Sequence, residues 1–99
     1  MTEDKLYAQL ETGETALGFA NEKFMRDSGL DFVSNDRSKL PAGFEIAFAA
    51  QDVEKAFNDA VAAGALPVQK PIAKPWGQTI SHVRDNNGIL IEICSPMEL

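Results

Sequence analysis

The first regular feature of the chain is an alternation of apolar and polar positions. Leu6, Ala8 and Leu10 alternate with Tyr7 and Gln9, and Glu11-Thr12-Gly13-Glu14 supplies a turn. Thr15 to Phe19 reads as the return strand, so residues 6–19 predict a β-hairpin. Residues 21–43 break the pattern. Charged Glu22, Lys23, Arg26, Asp27, Asp31, Asp36, Arg37 and Lys39 are scattered among Gly29 and Pro41 without a sustained period. This stretch predicts a long surface loop with one helical turn near Lys23–Arg26. Its apolar Phe24, Met25, Leu30 and Phe32 suit a segment that closes over a ligand or docks on a partner.

Alternation returns at Gly43–Ala50, with Phe44, Ile46 and Phe48 on one face and Glu45, Ala47 and Ala49 on the other. Asp52 then caps a helix. Val53, Ala56, Phe57, Ala60 and Val61 form one apolar stripe, and Gly64 stands just past its end. Pro67-Val68 predicts a short edge strand at most, and Lys70 to Pro75 an extended, solvated connector. Gln78–Arg84 and Ile89–Cys94 are two strands joined by Asp85-Asn-Asn-Gly88, a hairpin turn with Asn-Gly at its centre. Residues 44–95 thus predict a βαβββ unit of the α+β class. Phe44, Ile46, Phe48, Val53, Phe57 and Val61 are its expected core. Aligning Gly13 with Gly88 makes the first hairpin an architectural echo of the last one.

Length and charge narrow the picture. Ninety-nine residues fit one domain, with the hairpin at 1–20, the loop at 21–43 and the unit at 44–95. The net charge of -6 argues against nucleic acid and anionic membranes as partners, because both need a basic stripe. No basic start is followed by an apolar run, and no apolar stretch approaches the roughly 20 residues of a membrane span, so a cytoplasmic protein is expected. Cys94 is the single cysteine and cannot form an internal disulfide. His82 is the single histidine, which excludes a multi-histidine metal site within one chain.

Several segments in this order resemble the vicinal oxygen chelate superfamily, also called the glyoxalase/bleomycin resistance/dioxygenase superfamily. They are Tyr7-Ala-Gln-Leu-Glu-Thr-Gly-Glu-Thr15, Gly43-Phe-Glu-Ile-Ala-Phe48, the helix ending at Ala63-Gly64-Ala65, Lys74-Pro-Trp-Gly-Gln78, and Arg84-Asp-Asn-Asn-Gly88 leading to Ile91-Glu-Ile93. Asn86 stands where the family's turn usually has proline. The resemblance implies paired βαβββ modules whose curved sheets enclose a cavity. Here the βαβββ module follows a hairpin from an incomplete first module, without the strand and helix that would precede Tyr7. A second copy of the chain would cover the resulting gap, so a homodimer is expected.

The resemblance also places the chemistry. Metal-dependent members take four ligands from four cavity-facing strands. The first strand is absent, the second position holds Gly18, the third Glu45 and the fourth Glu92. Two carboxylates suit a hard cation such as Mg²⁺ or Mn²⁺, a general acid/base pair, or a polar cavity wall without metal. The metal-free wall is the leading expectation, with no cofactor; if a metal is present, Glu45 and Glu92 hold it. Ala47, Trp76, His82 and Leu90 complete the expected cavity. Trp76 either stacks on a flat ligand or plugs the core. His82 is expected to line the surface or cavity and not to act as a base. Cys94 is expected to be a buried, inert thiol.

The resulting expectation is a small-molecule-binding protein of the glyoxalase/bleomycin resistance type, sequestering an antibiotic or toxic metabolite. The acidic balance suits a cationic ligand. The alternatives are a lyase, isomerase or dioxygenase using a metal on Glu45 and Glu92, and a dimeric interaction module without ligand.

Overall fold

The computed structural model describes residues 7–11 and 13–96. Leu6 and Thr12, both assigned to the first hairpin from the sequence, lie outside the described residues. The chain divides into two compact units, Met1–Ser34 and Asn35–Leu99.

In the first unit, β1 (Tyr7–Glu11) pairs antiparallel with β2 (Ala16–Ala20), with Tyr7 opposite Ala20 and Glu11 opposite Ala16. The expected single helical turn is a short helix, α1 (Glu22–Asp27). The Asn21 side chain accepts a hydrogen bond from the Phe24 amide at 3.1 Å, and Glu22 sits in the first turn, where the helix dipole favours an anion. Arg26 ties the segment after the helix back onto it. Its guanidinium lies 4.3 Å from the centre of the Phe32 ring and donates to Ser34 Oγ at 2.5 Å and to the Phe32 carbonyl at 3.3 Å.

The second unit contains β3 (Ile46–Ala49), α2 (Val53–Ala62), β4 (Leu66–Ala73), β5 (Thr79–Arg84) and β6 (Leu90–Cys94). The four strands form one sheet in the order β3-β6-β5-β4. β3 runs parallel to β6 and the other neighbours are antiparallel. The βαβββ unit is therefore present, in the α+β class expected. A parallel pair needs a long crossover, and α2 with the β4–β5 hairpin supplies it.

α2 forms where its apolar stripe and its cap agree. Asp52 Oδ1 accepts from the Lys55 amide at 3.0 Å. At the other end the Ala65 amide donates to the Ala60 carbonyl and Gly64 to Val61, both at 3.0 Å, with Gly64 at φ +113°. Val53 and Phe57 are buried against Val83 and Ile93. Val61 and the small residues Ala50, Ala56, Ala60 and Ala65 pack around them. Beneath the helix Ser81 is fully buried, and its hydroxyl donates to the Ile93 carbonyl at 2.9 Å.

Two expectations are corrected here. The stretch read as a brief edge strand plus a solvated connector is one eight-residue strand, β4. Its prolines are tolerated because β4 is an edge strand and its register with β5 shifts twice, between Pro67 and Gln69 and between Gln69 and Ile72. Phe44, assigned to the core, precedes β3 and is 57% exposed, while Ile46 and Phe48 are half-buried. The core instead centres on Val83 and Ile93, which lie on the two hairpin strands under α2.

Candidate functional site

The sheet has two chemically different faces. Residues directly opposite each other in paired strands share a face, and successive residues alternate. Val83 and Ile93 point toward α2. On the other face a single row crosses all four strands: Ala47 opposite Glu92, Glu92 opposite His82, and His82 opposite Gln69. The last pairing depends on the irregular register of β4. Leu66 faces Arg84 and Pro67 faces Val83, so an unbroken ladder would place Val68 opposite His82. The extra residue puts Gln69 there instead.

His82 is the centre of this row. Its Nε2 lies 2.8 Å from Glu45 Oε2 and 3.7 Å from Glu92 Oε1, and its Nδ1 lies 3.1 Å from Gln69 Oε1. The His82 and Glu92 side chains are 18% and 17% exposed, and Glu45 is 38% exposed. Glu45 comes from the segment just before β3, two residues ahead of Ala47, and so reaches along the same face. A metal-ligating atom from each of Glu45, His82 and Glu92 lies within 4.8 Å of the others.

Besides a ring protonated only at Nε2, which donates to Glu45, this donor set has two further chemical states. A doubly protonated ring donates to Gln69 and Glu45 at once. A ring protonated only at Nδ1 donates to Gln69 and turns the Nε2 lone pair toward two carboxylates. In the second state the residues fit a divalent cation: one imidazole nitrogen, two carboxylate oxygens, and a partner fixing the far side of the ring. Arg84 stands on the same face as His82, and its guanidinium donates to backbone carbonyls. Its Nε donates to the Gly88 carbonyl at 2.9 Å and its Nη2 to the Asp36 carbonyl at 3.1 Å.

The other residues singled out from the sequence surround this centre or stand apart from it. Ala47 is exposed beside Glu92, and Leu90 is half-buried two residues before Glu92 on the same face. Trp76 lies in the turn between β4 and β5 and is 60% exposed, so it does not plug the core. Its indole Nε1 donates to Gln78 Oε1 at 2.8 Å, and Gln78 Nε2 donates to the Ser95 carbonyl at 2.9 Å. Cys94 is buried. Burial, and then hydrogen bonding and charge from Glu92, hold its thiol above the ordinary range, consistent with an inert group. Gly18 is on β2 opposite Gln9 and offers no side-chain donor.

Weighing His82 apart from the carboxylates missed its place between them. Folding the sequence about Asp85–Gly88 already pairs His82 with Glu92. Gln69 was missed altogether, because no sequence signal marks the register shift of β4.

The comparisons agree with this architecture. The family model of a glyoxalase-like domain matches residues 7–98. No curated protein matches the chain in sequence. Among solved structures, a glyoxalase-related enzyme from Fulvimarina pelagi is similar, with a TM-score of 0.73 and 20% identity over 91% of this chain. The chain spans 64% of that protein's length. A glyoxalase/bleomycin resistance protein/dioxygenase family enzyme from Burkholderia phytofirmans PsJN gives a TM-score of 0.72 and 20% identity, covering 92% of this chain and 72% of its own. TioX from Micromonospora sp. ML1 gives a TM-score of 0.64 and 26% identity, covering 91% of this chain and 68% of its own.

Proposed function

The chain belongs to the glyoxalase-like domain family, and from that premise we propose that it binds a small molecule on the sheet face turned away from α2. The observation that carries this is the cluster of Glu45, His82 and Glu92, whose donor atoms converge within 4.8 Å. Two carboxylates favour a ligand with positive charge or several hydrogen-bond donors, and Ala47 and Leu90 give its apolar part a surface beside them. Sequestration of a cationic antibiotic or toxic metabolite is the role this reading favours, in keeping with the net charge of -6.

Titration with a panel of cationic aromatic compounds, bleomycin included, in metal-free buffer tests it by amide and imidazole NMR. The panel's binders are expected to shift the signals of Glu45, His82 and Glu92. A Glu45→Gln/Glu92→Gln variant should bind them at least about tenfold more weakly, since each charge-assisted contact contributes on the order of 1–3 kcal/mol. A panel that leaves this face unmoved refutes the reading.

The second reading is a metal-dependent lyase, isomerase or dioxygenase, favoured by the nitrogen that His82 adds to the two carboxylates. Glu45, His82 and Glu92 would hold the ion, which would supply Lewis-acid polarisation of a bound oxygen. Self-association belongs to the same proposal. β3 and β4 end the four-stranded sheet, and Phe44, Val68, Ile72 and Trp76 are exposed apolar side chains of that unit. A second copy covering them should sediment as a homodimer, and a folded monomer at micromolar concentration would exclude it.

A further inference from the structure

We propose that residues 40–44 are a lid on the sheet face turned away from α2, clamped at Asp36 and Arg37 and latched to that face by Glu45, on the reading that this face takes a ligand.

The clamped end is built from three parts of the chain. Arg84 donates through Nη2 to the Asp36 carbonyl at 3.1 Å and through Nε to the Gly88 carbonyl at 2.9 Å, so one guanidinium ties the segment to the β5–β6 turn. Arg37 Nη2 donates to the Gly64 carbonyl at 2.5 Å, just past the end of α2. Gly88 lacks the Cβ that would push the Arg37 backbone off the turn. The Asp36 carboxylate accepts from the Ser38 amide at 2.9 Å and from Ser38 Oγ at 2.7 Å, and the Asp36 carbonyl accepts from the Lys39 amide at 3.1 Å. Residues 36–39 are thus a turn held by its own hydrogen bonds and by its neighbours.

The span that follows is held by neither. Among the described residues, none of residues 40–44 makes a hydrogen bond. Leu40 is 94% exposed and Phe44 57%. Gly43 meets nothing within 4 Å where a Cβ would stand, so its backbone can turn. Backbone without partners and apolar side chains without packing belong to the parts of a protein that open first. At the far end Glu45 Oε2 meets His82 Nε2 at 2.8 Å, and Ile46 opens β3 opposite Ile91. Arg84, which holds the near end, stands two residues from His82 on the same side of β5. Both ends of the span are therefore tied to the face that carries Glu92 and His82. The carboxylate that a ligand would engage is also the latch. Drawing Glu45 off His82 frees the span, and its motion sets how fast a ligand enters and leaves.

¹⁵N relaxation of the free, full chain tests the lid without any ligand. In the parent, Ala42, Gly43, Phe44 and Glu45 are expected to show dispersion on the μs–ms scale, shared with the His82 ring signals. Ser38 and Lys39 should stay flat, with order parameters near about 0.85. In Glu45→Ala the dispersion should vanish and the order parameters of residues 42–44 fall below about 0.6, with Ser38 and Lys39 unchanged. In Arg84→Lys, whose ammonium does not reproduce the fork on two carbonyls, the Ser38 and Lys39 amides should exchange with water at least about tenfold faster. Amide spectra of β3–β6 establish that the variants are folded, and Arg37→Ala tests the same clamp if Arg84→Lys does not fold. Residues 42–44 that are rigid and free of dispersion in the parent, or that move alike in the parent and in Glu45→Ala, overturn the lid. If the panel's compounds bind this face and residues 42–44 are rigid, the lid is refuted and the recognition reading stands. If the span moves as described and no compound of the panel binds, the recognition reading falls and the latched span stands.

Discussion

Single residues set limits that the rest of the molecule works within. Gly88 has φ +88°, and a Cβ there would meet Arg37 Cα at 2.9 Å and Arg37 N at 3.0 Å. Backbone atoms cannot swing aside as a long side chain can. Gly88→Ala therefore combines left-handed strain with a steric clash and should lower stability by more than about 2 kcal/mol in urea unfolding. Gly64 has φ +113° but open space around it, so Gly64→Ala should cost only about 1 kcal/mol. Cys94 offers a test in pH. Burial and Glu92 raise its thiol above the ordinary value, so the folded state keeps a proton that the unfolded chain releases. Its contribution to stability is intact below the ordinary thiol value of about 8.5 and is lost as pH rises past it toward the folded value. The decline in stability as pH rises above about 8.5 should be shallower in Cys94→Ala than in the parent chain, as read by urea unfolding across pH.

At the scale of elements, α2 and β4 obey different rules. α2 is specified locally by its cap and its stripe. Removing the Asp52 carboxylate that accepts from Lys55 N should cost about 1 kcal/mol in Asp52→Ala. Phe57→Ala removes the largest side chain between α2 and the sheet and should cost about 3–4 kcal/mol. The surface pair Lys55–Asp59 at 2.7 Å should contribute at most about 0.5 kcal/mol, and its loss should vanish at high salt. β4 is specified by its neighbour. Its two register shifts carry Pro67 and Pro71 along the edge and bring Gln69 to His82. Deleting Val68 would restore the unbroken ladder in that stretch. Gln69 would then follow Pro67 directly and still stand opposite His82, so the His82 Nδ1 proton should keep its rate of exchange with water, whereas Gln69→Leu, which removes the acceptor, should speed it.

For the whole molecule, charge decides which partners approach. A net charge of -6 on 99 residues attracts cations over about a Debye length. Affinity for a cationic ligand should fall several-fold between 50 and 300 mM salt, while affinity for a neutral analogue should barely change. Equal salt dependence for both would show that the acidic balance plays no part in recognition. Among the described residues, no helix is long and apolar enough to cross a membrane.

The sequence alone determined those parts that depend on local chemistry. Alternation, the Asn-Gly turn and the Asp52-capped stripe set the order of elements from β3 to β6, because each depends on neighbours a few residues away. Reading β4 failed for the opposite reason. Two prolines look like a connector until an adjacent strand allows them an irregular edge. Phe44 failed because alternation gives a face and not a depth, and only the packing of α2 onto Val83 and Ile93 says where the core lies. The site divides in the same way. Glu45, His82 and Glu92 were each visible as candidates, two of them through family resemblance. Their meeting was decided only by tertiary structure, because it needs a parallel β3–β6 register, an antiparallel β5–β6 register and a bulge in β4 at once. Donor atoms separated by as many as 47 residues become neighbours through strand register, a long-range property that no single segment encodes.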